Sequence, residues 1–202
     1  MITTQKQNDI DLLREAYLIN GGKWQRFNYG GVRNPNDQDK DGFNDVIFAA
    51  TNDIMILMQG TTDPGKRGTE KSAKGVCHMI EGFHANTHAL GWHGGKDKAW
   101  RHEAFIQVAP VPYWRDKDRD YELSGRDAII RDEPASGINI HSTLGSPEEI
   151  GGWSIGCQVV RHMAEFEKMV ALAKKSGMPL FSYLLMTLKR ENKRFYEMVF
   201  GG

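Results

Sequence analysis

A chain of 202 residues suits one domain with a single core, since domains commonly run about 100 to 200 residues. Its 26 basic and 26 acidic residues balance, which excludes the broad positive field of a nucleic-acid binder, so no nucleic-acid partner is expected. Hydrophobic residues at 40%, with nine Phe, five Trp and six Tyr, suffice for a core, while 22 Gly imply frequent turns and favour strands over a bundle.

The first residues, MITTQKQNDIDLLREAY, carry acidic side chains from position 9 onward and no apolar run, so they read as neither a secretory signal nor an anchor. No later stretch approaches the ~18 apolar residues of a membrane span, and no membrane partner is expected. The expectation is a chain made in the cytoplasm that reaches an extracellular target only by release. Cys77 and Cys157 are then expected as free thiols.

Residues 8–18 predict a short amphipathic helix, with Asn8 as N-cap and Ile10, Leu13 and Tyr17 on one stripe; it stops at NGG, so residues 1–22 form a helical extension. VIFAA and IMILMQG predict two strands, and the TND between them a hairpin. TTDPGKRG breaks the pattern. Residues 75–110 offer short β-like pieces, GVCHMI and EAFIQVAPV, joined by a Gly- and His-rich connection, and the charged segment 115–134 reads as a surface loop. In GINIH the apolar Ile138 and Ile140 alternate with Asn139 and His141, which puts His141 on the open face of a strand.

Residues 162–176 predict the clearest helix, with Met163, Phe166, Val170 and Ala173 on one stripe, lysines in the last turn, and Gly177 and Pro179 as stop signals. LFSYLLMTL reads as a strand. From residue 189 a C-terminal extension follows, in which RFYEMVF is a final strand or a docking segment. With no repeat, low-complexity segment or linker, residues 1–202 read as one α+β domain, mostly β, with an N-terminal helix and a helix after Cys157.

His141 and Cys157 stand 16 positions apart, each beside glycine and apolar residues. A cysteine attacks as thiolate and, with a free pKa of about 8.5, needs a base or a positive charge beside it. His141 would take the thiol proton to give an ion pair, the sulphur would attack a carbonyl, and the imidazolium would protonate the leaving amine. Backbone N–H groups at Gly156 and Cys157 would receive the oxyanion, glycine allowing close approach. The plain alternative is a small buried hydrophobe, the usual fate of a lone cysteine among apolar residues.

INIHS, followed after a short loop by SIGCQV, resembles the active-site signature of the L,D-transpeptidase catalytic domain: a His, a spacer of this length, then Ser, His, Gly and Cys. GGVRN, FNDVIF, GTTDPG and PVPYWRDKDRD stand upstream in an order similar to phage and bacterial relatives of that domain, so the resemblance spans roughly residues 25–188. It implies a sandwich- or barrel-like catalytic fold, Cys157 as nucleophile, His141 as base, Ser142 orienting His141 through its backbone, Gly156 and Cys157 as oxyanion donors, and Ser154 stabilising the loop. Two positions depart from the pattern: Ile155 stands where a second His is usual, and Val159 where Arg or Asn is usual, with Arg161 two places on.

The resemblance further implies a cofactor-free enzyme acting on peptidoglycan stem peptides. It would attack the bond between the L-centre of a diamino acid and the following D-alanine to give a thioester. An amine acceptor then makes a cross-link, as in a transpeptidase; water gives an L,D-carboxypeptidase or endopeptidase. The absent export signal and the likeness to phage-type members favour the hydrolytic, endolysin-like role at the bacterial cell wall. Trp153 would form an apolar wall beside Ser154, and Arg33, Tyr113, Trp114 and Arg115 would bind the anionic peptide.

Two other signals compete. HANTHALGWHGG holds His84, His88 and His93, the ligands of an alternative zinc-dependent hydrolase, although the interleaved glycines argue against the helix that would bring them together. DQDKDGFND places Asp37, Asp39, Asp41 and Asp45 at calcium-loop positions, with Phe48 where the closing Glu belongs; the second acidic run, DKDRDYE, lacks the glycine. A non-catalytic wall-binding protein is the third possibility.

Overall fold

VIFAA, IMILMQG, EAFIQ and LFSYLLMT, expected as strands, become staves of a closed barrel in a computed structural model that describes residues 7–35, 39–125, 127–134, 136–187 and 193–201. Its staves are β1 (Asn28–Arg33), β2 (Asp45–Ala50), β3 (Met55–Thr61), β5 (Gly82–His93), β6 (His102–Gln107), β9 (Ile140–Ser142), β10 (Gln158–Val160) and β11 (Phe181–Thr187). They run in the order β1-β11-β5-β6-β9-β10-β3-β2, with β1 pairing β2 to close the ring. The hairpin at TND forms as expected, Ala50 facing Met55, with Thr51 Oγ1 accepting from the Asp53 and Ile54 amides. A second sheet, β4-β7-β8, comprises β4 (Val76–Met79), β7 (Tyr113–Asp116) and β8 (Ala128–Ile130).

Alternation explains why the strands are apolar on both faces. Tyr29, Ile47, Ala49, Tyr183 and Leu185 point into the barrel core with Phe27, Phe105 and Phe181. Val32, Phe48, Ala50, Leu184 and Met186 point outward and are covered by Ile10, Leu13 and Tyr17 of α1 (Gln7–Ile19) and Phe195 of α4 (Lys193–Phe200). Burying each such large side chain contributes about 1.5–3 kcal/mol, so the two terminal helices are part of the core. α3 (Met163–Ser176) follows β10, buries Phe166, Met169, Val170 and Ala173, and ends on Gly177 at φ +66.

The α+β, mostly β, class agrees with the sequence, and a closed barrel is one of the two forms that the resemblance implies; three expectations need correction. The Gly- and His-rich connection is a long strand, β5, which kinks at Asn86 (φ +54) where the register with β11 shifts, so the run bends instead of stopping. The segment 115–134 is not all loop, since it contains β8 and the end of β7. Of the two readings open for RFYEMVF, the docking segment holds: it is a helix that packs against α1 and the barrel's outer face. A further helix, α2 (Lys66–Lys71), follows the TTDPG break, giving four helices among the described residues where two were expected.

Candidate active site

Parallel pairing of β9 with β10 sets the site: Gln158 lies beside Ile140, Val159 beside His141 and Val160 beside Ser142. Ile138, Ile140 and Val160 face the barrel core. His141 therefore points to the other face, as the alternation predicts. Cys157, one residue before β10, packs with Val159, Phe43 and Ile150 outside the barrel core, and the Gln158 amide donates to Asn139 O at 2.9 Å.

His141 donates from Nδ1 to the Ser142 carbonyl at 3.1 Å, so Ser142 orients the ring through its backbone. That partner places the proton on Nδ1; Nε2 is buried and makes no hydrogen bond of normal geometry, although the Trp153 carbonyl also faces the ring and favours its cation. The imidazole stacks on His93 with centroids 3.9 Å apart and planes 12° from parallel. Burial, then the neighbouring His93, pull the His141 pKa down to about 3, against the Ser142 carbonyl, which favours the cation. His102 reinforces the neutral state; its Nδ1 donates to Trp100 O and its Nε2 accepts the Ser142 amide.

Cys157 Sγ lies 3.3 Å from Gly137 O and donates to it. Burial pushes the thiol up to about 11, although the Asn139 amide stabilises the thiolate. The resting site therefore holds a neutral thiol and a neutral imidazole. The ion pair expected from the sequence is absent because neither charge has enough compensation in a dry site.

The loop between them is closed by Ser154, fully buried, whose hydroxyl donates to Cys157 O at 2.7 Å and accepts the Gly156 amide at 3.2 Å. Ser154 braces the loop and does not line the cavities beside Cys157 and His141. Gly156 has φ +146, and a Cβ there would lie 2.8 Å from Cys77 Cβ, so glycine is required for the loop to pass Cys77. In this state the Gly156 amide is turned to Ser154 and not outward, as an oxyanion donor would be.

Two adjoining cavities open here. One of about 720 Å³ exposes His141, His93, Trp100, Trp153, Arg67 and Lys71. The other, about 240 Å³, exposes Cys157, Gly156, Cys77, Gly137 and Arg115. Ile155 and Ser72 line both. Ile155, 60% exposed, is the partition between them at the position where the resembled signature has a histidine.

Of the expected binding residues, Trp153 reaches the His141 cavity and Arg115 the Cys157 cavity. Arg33 and Trp114 line a separate recess with Asp63 and His78. Arg33 is held there by Asp63, Thr62 and the Met79 carbonyl, and Trp114 stacks on His78. Tyr113 is wholly buried, its hydroxyl bonded to Glu133 and to Arg115. Alternation along β7 turns Trp114 to the face opposite Arg115, whereas Tyr113, on the Arg115 face, is packed into the core beside Cys77.

The three histidines proposed for zinc are spread along β5. His84 Nε2 is bonded to Ile80 O; His88 uses both ring nitrogens, on Thr87 Oγ1 and Ile138 O; His93 belongs to the His141 stack. Asp39, Asp41 and Asp45 do not converge either. Asp41 Oδ1 accepts the Lys66 and Gly151 amides, tying α2 to the loop before Cys157, and Asp45 accepts the Asn34 and Thr62 amides and the Thr62 hydroxyl. Asp37 lies outside the described residues. Sequence reasoning missed Cys77, His102, Trp100 and the α2 side chains Arg67 and Lys71, which reach the site only through tertiary packing; their spacing carries no local signal.

Among the described residues, no helix is long and apolar enough to cross a membrane. No protein-family model, no curated protein and no solved structure matches this chain.

Proposed function

We propose that this chain is a cysteine acyl-transfer enzyme of the L,D-transpeptidase type, acting on peptidoglycan stem peptides through a thioester on Cys157. The observation that carries the reading is the β9–β10 register, which puts a buried thiol at the start of β10 on the same face as a β9 histidine whose Nε2 makes no hydrogen bond. The reading requires the thiol to turn from Gly137 past Ile155 into reach of His141; its proton then passes to His141 Nε2 as sulphur bonds to the scissile carbonyl carbon, and His141 gives that proton to the departing amine. Starting from a neutral pair, charge develops only in the transition state, where fixed dipoles act most strongly. The Gly156 amide becomes an oxyanion donor once the Ser154 hydroxyl gives it up. Arg115 supplies a cation in the same cavity for a peptide carboxylate. Water as acceptor gives the hydrolytic, lysis-related role.

Purified protein incubated with disaccharide-peptide fragments of several wall chemotypes, with products read by mass, tests this. Loss of D-alanine or splitting of cross-links by the parent, absent in Cys157→Ala and His141→Ala of unchanged melting temperature, is the expected result. Intact fragments with a fully alkylatable Cys157 would leave wall binding without turnover. Chelator-sensitive turnover surviving Cys157→Ala would point to a metal hydrolase.

A further inference from the structure

The second acidic run, from Asp116 to Asp127, is folded as more than a solvated turn. Asp116 ends β7 fully buried, its Oδ1 accepting the Arg119 amide at 2.6 Å and its Oδ2 the Tyr121 amide at 3.1 Å. Tyr121 stands sixth from Asp116, where a calcium loop has its glycine, and adopts the positive φ (+64) that glycine ordinarily supplies. Asp118 and Asp120 bring carboxylate oxygens within 4.8 Å of each other and of Asp116. Asp127, at the twelfth position, closes the run by accepting the Ser124 and Lys117 amides. The first acidic run has no acid there.

An independent observation on another strand points to a ligand. His78 of β4 is 3% exposed, its ring held flat on Trp114 at 4.1 Å, and its Nδ1 donates to Asp63 Oδ1 at 2.9 Å. Nε2 is buried without a hydrogen-bond partner and faces Asp116 Oδ2 at 3.8 Å. A buried ring nitrogen left without a partner beside a buried carboxylate is unfavourable. A cation, or water bound to one, between them removes that cost.

We propose that Asp116, Asp118 and Asp120 hold one divalent cation, with His78 Nε2 facing its coordination shell. Three carboxylates on a short loop select a hard ion, and the mixture of buried and exposed donors suits the flexible oxygen shell of calcium. The site lies at the end of the strand that carries Arg115, in the sheet that carries Cys77, so the ion braces the wall of the Cys157 cavity without taking part in the chemistry.

The test is terbium luminescence on chelator-treated protein, because Trp114 and Tyr121 stand close enough to sensitise a lanthanide in this loop. The expected result is one terbium ion per chain, displaced by calcium. Affinity should fall about tenfold or more in Asp118→Asn/Asp120→Asn, fall less in His78→Gln, and stay unchanged in Asp39→Asn. Asp118 and Asp120 are exposed, so the double variant keeps the fold, and calcium should raise the melting temperature of Cys157→Ala as much as that of the parent. Emission that calcium does not displace, or equal affinity in the double variant, overturns the proposal and leaves His78 as an imidazolium bridging Asp63 and Asp116.

Discussion

His141 stacks face to face on His93, 3.9 Å between centroids, and burial, with this contact second, keeps the imidazole neutral. The thiol and the imidazole at this site therefore rest uncharged, and in the proposed mechanism the reaction starts from that neutral pair.

The first prediction concerns acid. The His141 pKa lies at about 3 and that of His88 at about 4 in the folded chain, each lowered first by burial. The unfolded chain binds protons at these groups from about pH 6.5 downward, so stability is present above that pH and is lost as pH falls towards the folded values. Asp63, held low against its burial by Arg33 and His78, acts in the same direction at lower pH; Asp45, raised by burial to about 6, opposes it between about pH 4 and 6. Urea unfolding at pH 7 and pH 4.5 should show a loss on the order of a few kcal/mol, and His88→Gln should flatten the slope.

The thiol itself gives the second. With Cys157 pushed up to about 11 and no imidazolium to hold a thiolate, alkylation by iodoacetamide should stay slow below about pH 9 and rise above it. Peptide mapping separates Cys157 from Cys77, whose pKa is also raised by burial. His141→Ala should leave the Cys157 profile unchanged. A fast reaction at pH 6–7 that His141→Ala abolishes would mean a preformed ion pair instead.

Gly156→Ala should lower stability by about 2 kcal/mol or more and remove activity, since φ +146 disfavours a side chain and the new Cβ meets Cys77 Cβ at 2.8 Å and Cys77 O at 3.0 Å. Because one of those contacts is backbone, adding Cys77→Gly should recover only part of the melting temperature.

Ser154→Ala leaves a buried carbonyl and a buried amide without their shared hydroxyl. The expected cost is about 1–3 kcal/mol, read by denaturant unfolding. Ser154→Thr, which keeps the hydroxyl but adds a methyl group to a fully buried position, should also destabilise through overpacking.

The fold was legible where periodicity is local. Ile10, Leu13 and Tyr17 mark α1; Phe166, Val170 and Ala173 mark α3; the alternation in GINIH puts His141 on the correct face. β5 was not legible, because Gly82 and Gly91 signal interruption while the pairing of both edges, with β11 and with β6, keeps it a strand. The tail could not be settled from RFYEMVF alone, since Phe195 becomes core only against α1 and the outer face of β11. At the site, His141 and Cys157 came from the sequence, but Cys77, His102 and the partition by Ile155 depend on loops meeting across the chain. Arg33 and Trp114 had the right chemistry and were placed elsewhere, by an ion pair with Asp63 and by the alternation of β7.

The most direct test of the account is trapping the acyl-enzyme. Protein mixed with stem tetrapeptide and quenched in acid within seconds should carry, on the peptide containing Cys157, the mass of the acyl fragment lacking D-alanine. The adduct should be labile to hydroxylamine, absent in Cys157→Ala and formed far more slowly in His141→Ala. Turnover of the tetrapeptide with Cys157 unmodified, or undiminished in Cys157→Ala, would contradict it.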